Sequence, residues 1–300
     1  MITDRFGFLP CDWTFDFDGG TVSAIPEIYK VRKRVEKYTN EDGFLYPPLS
    51  HRVHLEPRTN KILGKIPRTQ RPAHLHPVPP SHELRLSVSG TTEELRKGPG
   101  AFIIHLLAYL FGIRLQFRDW WFDSRVPVRM GQTHNIHPTK DTAEDFLSHC
   151  YRAWQGWPTK EQKLITNLLF MHSRAPSYEW DWERFTIEYM VLDGCWRLAE
   201  LHHGVKGKNH SERIRILCQK FGIPYDKKRV GKIVSLRNGL FHETLWDGSQ
   251  PCTAVNAEAV LQPLNLRRLN QRLIPALLGY SNRYVHTIWW SRGAFQFDKQ

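Results

Sequence analysis

DWERFTIEYMVLDGCWRLAELHH, residues 181–203, decides the reading of the second half of this chain. Phe185, Tyr189, Leu192, Trp196 and Ala199 fall at i, i+4, i+7, i+11 and i+14, which makes one apolar stripe of a long helix facing a bundle core. Similar patterns lie on both sides. Asp141–Gln155 opens with an acidic first turn, and Thr159 serves as N-cap of a helix to about Ser173 with Glu161 in its first turn. Downstream come Ser211–Phe221, closed by Gly222 and Pro224, then Asp226–Leu245, and a last helix over Leu264–Trp290 bent near Pro275. Six helices joined by short loops make a bundle.

Before residue 140 the period changes from helical to alternating. Trp13, Phe15 and Phe17 share one face, as do Leu84, Leu86 and Val88, Leu115 and Phe117, and Val126, Val128 and Met130. The run from Pro67 to Pro80 holds five prolines and reads as an extended surface loop. One helix, Ala101–Phe111, interrupts the strands and ends on Gly112. The expectation is an α+β domain over residues 1–140, followed by an all-α helical bundle over residues 141–300.

Composition narrows the classes. The chain of 300 residues is 41% hydrophobic and 24% charged, a globular balance with room for two cores. Met1–Arg5 lacks a basic-then-apolar secretory layout, and the longest apolar run, Ala101–Ile113, contains His105 and is too short to span a bilayer. The reading is a cytoplasmic protein with no membrane partner. Cys11, Cys150, Cys195, Cys218 and Cys252 never form a C-x-x-C pair, which argues for free thiols over disulfides or a zinc knuckle.

Charge is uneven. Residues 151–300 carry 22 Lys and Arg against 13 Asp and Glu, a net of +9, whereas residues 1–150 carry a net of +3. Ten of the basic residues fall between 201 and 240, where only Glu212 and Asp226 oppose them. A local excess of that size attracts polyanions by Coulomb force and counterion release. Lys227, Lys228, Arg229, Lys232 and Arg213 are the candidate substrate contacts; the alternative is a solvated helix face.

Inside this basic region stands LRNGLFHE, residues 236–243. His242 can take and give a proton near neutral pH, Arg237 is a permanent cation whose fork of donors fits a phosphate, and Asn238 can orient either partner. Those are the requirements for cleaving RNA through its own 2′-OH, which passes through a dianionic phosphorane. No carboxylate cluster at ligand spacing is visible, so neither a metal nor a cofactor is expected. Arg-x4-His also occurs at Arg71/His76, Arg129/His134 and Arg197/His202, but only Arg237 is followed by Asn within a basic helix. At about 100° per residue, Arg237 should sit about 140° round from His242. A single regular helix would not aim both at one phosphate.

Over roughly residues 155–290 the pattern resembles the HEPN superfamily, whose signature is an Arg, a polar residue and a His late in an up-and-down helical bundle. The order of a long helix with an acidic pair (Glu188 and Asp193), a basic amphipathic helix (Arg213–Cys218) and the Arg-Asn…His helix is similar to the Apea-like branch known from antiphage defence. The resemblance implies a metal-independent endoribonuclease with Arg237, Asn238 and His242 at a composite site between two subunits of a homodimer. It implies RNA, tRNA included, as substrate and a role in antiviral defence or as a toxin. The N-terminal half would then restrain the nuclease until a phage-derived or cellular trigger arrives. Glu188 and Asp193 either position Arg237 or form a plain structural ion pair. The competing expectation is a non-catalytic HEPN-like module that binds RNA or protein. Relatives silenced by adenylylation carry Tyr two residues after the His, where this chain has Thr244.

Overall fold

The computed structural model describes residues 1–48, 53–71, 75–246, 260–291 and 293–299. The molecule is mixed α/β, with strands concentrated before residue 140 and helices after it. Eleven strands are present among the described residues: β1 (Ile2–Gly7), β2 (Phe15–Phe17), β3 (Gly20–Ala24), β4 (Phe44–Leu45), β5 (Val53–Leu55), β6 (Ile62–Lys65), β7 (His82–Leu86), β8 (Gln116–Phe117), β9 (Val126–Pro127), β10 (Ile136–His137) and β11 (Phe295–Gln296). The main sheet is antiparallel with order β2-β3-β7-β1-β8, and Leu84 stands opposite both Asp4 and Val22. In β7 the alternation is realised: His82, Leu84 and Leu86 are buried while Arg85 faces water.

Helices in the first half are α1 (Ile28–Tyr38), α2 (Thr92–Lys97) and α3 (Pro99–Phe111). α2 carries a capping box between Thr91 and Glu94. α3 ends on Gly112, which is left-handed at φ 63°, and is buried from Gly100 to Phe111, as a helix apolar on every side must be. Of the proline-rich run, Arg68–Gln70 forms a 3₁₀ turn and His76 bridges to Phe122, while residues 72–74 lie outside the described residues.

The second half contains α4 (Lys140–Gln155), α5 (Thr159–Arg174), α6 (Asp181–His203), α7 (His210–Lys220), α8 (Lys227–Asn238) and α9 (Gln262–Leu277). Three sequence expectations need correction. Thr159 is the first helical residue of α5 and does not cap it; Pro158, fixed at φ −58°, takes the cap position. The motif helix keeps α geometry only to Asn238 and continues as a π-helical turn over Gly239–Glu243. The last helix stops at Leu277, because Gly279 turns the chain at φ 71° and a separate 3₁₀ turn, Arg283–His286, follows. Pro275 causes no break. It lacks only the N–H that would bond to Gln271 O, and that carbonyl accepts from the Tyr109 hydroxyl at 2.5 Å.

One hydrophobic core runs from Phe6 and Leu84 of the sheet through α3 to Phe185, Leu269 and Phe297. β11 returns beside β10 in parallel, joining the end of the described chain to the first half. Cys11, Cys150, Cys195 and Cys218 are buried free thiols; Cys252 lies outside the described residues. Among the described residues no helix is long and apolar enough to cross a membrane.

α6 and α9 are joined by a buried ionic cluster. Arg267 Nη1 lies 2.6 Å from Glu188 Oε1 and also donates to the His172 carbonyl at 2.6 Å. His172 Nδ1 stands 2.9 Å from Glu188 Oε2, and Asn270 donates to Glu188 Oε2 and to the Glu188 carbonyl, both at 2.8 Å. Burial works against the Glu188 carboxylate, but His172 and Arg267 outweigh it and hold its pKa below the ordinary value. Burial and Arg267 push the His172 pKa down, so near neutral pH its ring is uncharged and donates from Nδ1.

Glu188→Gln should therefore cost about 3–5 kcal/mol, because it leaves Arg267 buried without a counter-charge. A depressed carboxylate pKa stabilises the fold above the unfolded value of about 4.3, and that stability is lost as pH falls through the folded value. Melting temperatures of wild type and variant should differ widely near pH 7 and converge in acid. A gap that is absent at pH 7, or constant with pH, would contradict this account.

Candidate active site

α8 begins at Asp226, whose side chain accepts from Arg229 N at 2.9 Å. Val230, Ile233 and Leu236 bury its inner face. At its far end, Thr244 N–H and Leu245 N–H both return to Gly239 O, the latter at 3.0 Å. Thr244 is left-handed at φ 59°, and Trp246 just beyond is buried with its ring 5.6 Å from Phe185 of α6. Anchoring Trp246 there coincides with one extra residue in the final turn, the widening that defines a π turn.

That widening has a chemical consequence. The 140° separation expected of Arg237 and His242 on a regular helix does not occur. Arg237 Nη1 lies 2.7 Å from His242 Nε2 and 3.1 Å from Asn238 Oδ1. A guanidinium only donates, so Nε2 must accept and the neutral ring carries its proton on Nδ1. Arg237, Asn238 and His242 thus meet within one chain, and a two-fold axis is not required to unite them.

The guanidinium leans on two aromatic rings, Phe241 at 5.2 Å and Tyr189 at 5.9 Å. Phe241 is 45% exposed, whereas Tyr189 is buried with its hydroxyl 2.9 Å from His210 Nδ1. Burial, seconded by Asp193, raises the Tyr189 phenol pKa well above its ordinary value, so the hydroxyl keeps its proton. Burial and the nearby Arg237 lower the His210 pKa, with Asp193 opposing them. Asp193 keeps solvent access at the rim, yet loss of hydration raises its pKa against the pull of His210, Arg213 and Arg237. Arg213 of α7 lies over Trp196 at 5.4 Å. The buried Nε atoms of both Arg237 and Arg213 have no hydrogen-bond partner among the described residues.

The acidic pair divides. Asp193 belongs to this cluster, but Glu188 is turned into the interior toward Arg267, His172 and Asn270. Lys227 and Lys228 are exposed, whereas Arg229 lies 3.7 Å from Asp226 and 5.4 Å from the Trp290 ring, and Lys232 is half-buried. The three other Arg-x4-His pairs are held in structural contacts. His202 sits 2.9 Å from Glu161 and 4.3 Å from the Trp157 ring, with Arg197 on Glu200 at 3.0 Å. His134 donates to Leu110 O at 2.9 Å, and burial with Arg267 pushes its pKa down to about 3. His76 is buried, and Arg71 donates to Ile66 O at 2.8 Å.

Sequence reasoning missed His210 and read Tyr189 only as core. Asn209 accepts from Glu212 N at 2.9 Å, so the Asn-x-x-Glu spacing sets the start of α7 at His210 rather than Ser211. That signal could have placed His210 in a first helical turn, but not beside Tyr189. No group of three or more His, Cys, Asp or Glu is gathered closely enough to hold a metal among the described residues. Compared with family models, curated proteins and solved structures, the chain matches none.

The Arg237 contact fixes a tautomer, which nitrogen NMR reads directly. Neutral His242 should show the Nδ1-protonated form in wild type and shift toward the usual Nε2-protonated mixture in Arg237→Ala. Equal tautomer populations in the two proteins would rule out the contact as a determinant.

Proposed function

We propose that the chain is a metal-independent RNA endonuclease of HEPN type, its bundle over residues 141–300 carrying the reaction at Arg237, Asn238 and His242. The observation that carries this reading is the 2.7 Å contact between Arg237 and His242, which sets a permanent cation against a proton acceptor at the protein surface. His242 Nε2 takes the 2′-OH proton as O2′ bonds to phosphorus, and Arg237 turns donors to the phosphorane oxygens. The bond to the 5′ oxygen then breaks, leaving a 2′,3′-cyclic phosphate and a 5′-OH. Exposed Phe241 offers a ring face for a base, and Lys227 and Lys228 offer charge for flanking phosphates.

The setting in antiphage defence or toxin action, tRNA or bulk RNA as substrate, restraint by residues 1–140 until a trigger binds, and cytoplasmic location belong to this proposal through the resemblance. So does the homodimer, since the helix geometry no longer demands one. The second reading, a non-catalytic module that binds RNA or protein, is favoured by one observation. Arg237 Nη1 already donates to Asn238 and to His242 without a ligand.

Purified protein should cut RNA, spare DNA of the same sequence and tolerate EDTA. His242→Ala should lower the rate about 10²–10⁴-fold, while His202→Ala should leave it unchanged. Wild type that binds RNA without cutting it would support the second reading. Loss of cutting on chelation, restored by magnesium or manganese, would overturn the mechanism.

The basic face can be tested apart from the chemistry. Reversing charge at Lys227 and Lys228 should flatten the log–log salt dependence of RNA binding by about 1.4–1.8, at about 0.7–0.9 per contact. Melting temperature should stay put, since exposed charges contribute little to folding. An unchanged salt slope would mean that these lysines are only a solvated face.

A further inference from the structure

We propose that His210 is a second catalytic residue of this site, the general acid that protonates the departing 5′ oxygen. The inference rests on the ribonuclease reading above and deepens it. Strand cleavage needs two proton transfers, one from the 2′-OH and one to O5′. Arg237 commits His242 to the first of them, because its donated hydrogen bond keeps a lone pair on Nε2. A group that enters the reaction as a base cannot deliver the other proton in the same step.

His210 is linked to the same guanidinium through Tyr189. Arg237 lies 2.7 Å from His242 and 5.9 Å from the Tyr189 ring, and the Tyr189 hydroxyl holds His210 Nδ1 at 2.9 Å. A phosphate drawn to Arg237 would meet His242, which touches that guanidinium, and come within the electrostatic reach of His210, on which Arg237, Arg213 and His242 all act. Tyr189 suits both states of the acid. Its hydroxyl accepts from Nδ1–H of the charged ring, which leaves Nε2–H directed away from the tyrosine, and goes on accepting from the Nδ1–H of the neutral ring left once the Nε2 proton is given up. His210 is also the first residue of α7, an eleven-residue helix whose start is fixed by the Asn209 cap.

The charged and titratable groups facing His210 are Arg237, Arg213 and His242, which oppose its protonation, Asp193, which favours it, and the neutral Tyr189. A bound phosphodiester brings one negative charge, which offsets part of the arginines' opposition, so the substrate favours the charged acid. In the step, the 2′-OH proton passes to His242, O2′–P forms, P–O5′ breaks, and the His210 proton goes to O5′. Exchange with water then returns both rings to their starting states.

The experiment uses an oligonucleotide that wild type cuts, resynthesised with sulfur in place of O5′ at the cut bond. A thiolate leaves without protonation. His210→Ala should be slowed about 10²-fold or more on the oxygen substrate, lose the alkaline limb of its pH–rate profile, and recover to near wild-type rate on the sulfur substrate. His242→Ala should lose the acid limb and stay slow on both. His210→Ala that is as fast as wild type, or equally slow on both substrates, overturns the assignment while leaving the ribonuclease reading intact. Wild type that cuts no RNA overturns both.

Discussion

The Glu188–Arg267 pair ties the long helix α6 to α9 in the middle of the protein, and the site depends on how α6 is held. Glu188 spends its oxygens on Arg267, His172 and Asn270, while Arg267 reaches on to the Thr133 carbonyl at 2.8 Å. The pair therefore fixes α6 against α5, α9 and the segment that follows the sheet. Tyr189 is the next residue along, and about 100° of helical rotation turns it away from that cluster. Rotation of α6 is set on the Glu188 side, and the Tyr189 side delivers the result to Arg237 and His210. The ionic pair is costly to bury and poor as a source of net stability. Its value here is orientation.

A second constraint acts from the other end of the motif. Trp246 is buried against Phe185 of α6, so the residues between Asn238 and Trp246 must close a turn of given length. They do so with a π turn and a left-handed Thr244. A regular helix would separate Arg237 and His242 by about 140°. The wider turn brings them to 2.7 Å within a single chain, so this geometry does not require a second subunit.

Legibility in the sequence followed how local the determining physics was. The bounds of α6 could be read from its apolar stripe and its stop at Gly204, and α3 from its unbroken apolar run and Gly112. α1 was not legible, since it buries only Ile28 and Val35 and has no side-chain cap. The end of α9 was misread because buried apolar residues continue past Leu277, with Tyr284 and Val285 of the following 3₁₀ turn in the core. At the candidate site, Arg237, Asn238 and His242 could be grouped from the sequence because they fall in one six-residue stretch, whereas His210 could not, because its neighbour Tyr189 lies on another helix. Glu188 and Asp193, five residues apart on one helix, looked like a pair and proved to serve opposite faces.

The proposed site places an RNA phosphate on Arg237, beside His242 and within reach of His210. Histidine nitrogen NMR of the full-length protein, titrated with RNA made uncleavable by 2′-O-methylation, tests it without asking for turnover. The account predicts that, as RNA binds, the His242 Nε2 signal shifts while the ring stays neutral with its proton on Nδ1, and that His210 becomes protonated, while His172 and His202 stay unchanged. RNA that binds and leaves both His242 and His210 unmoved would contradict it.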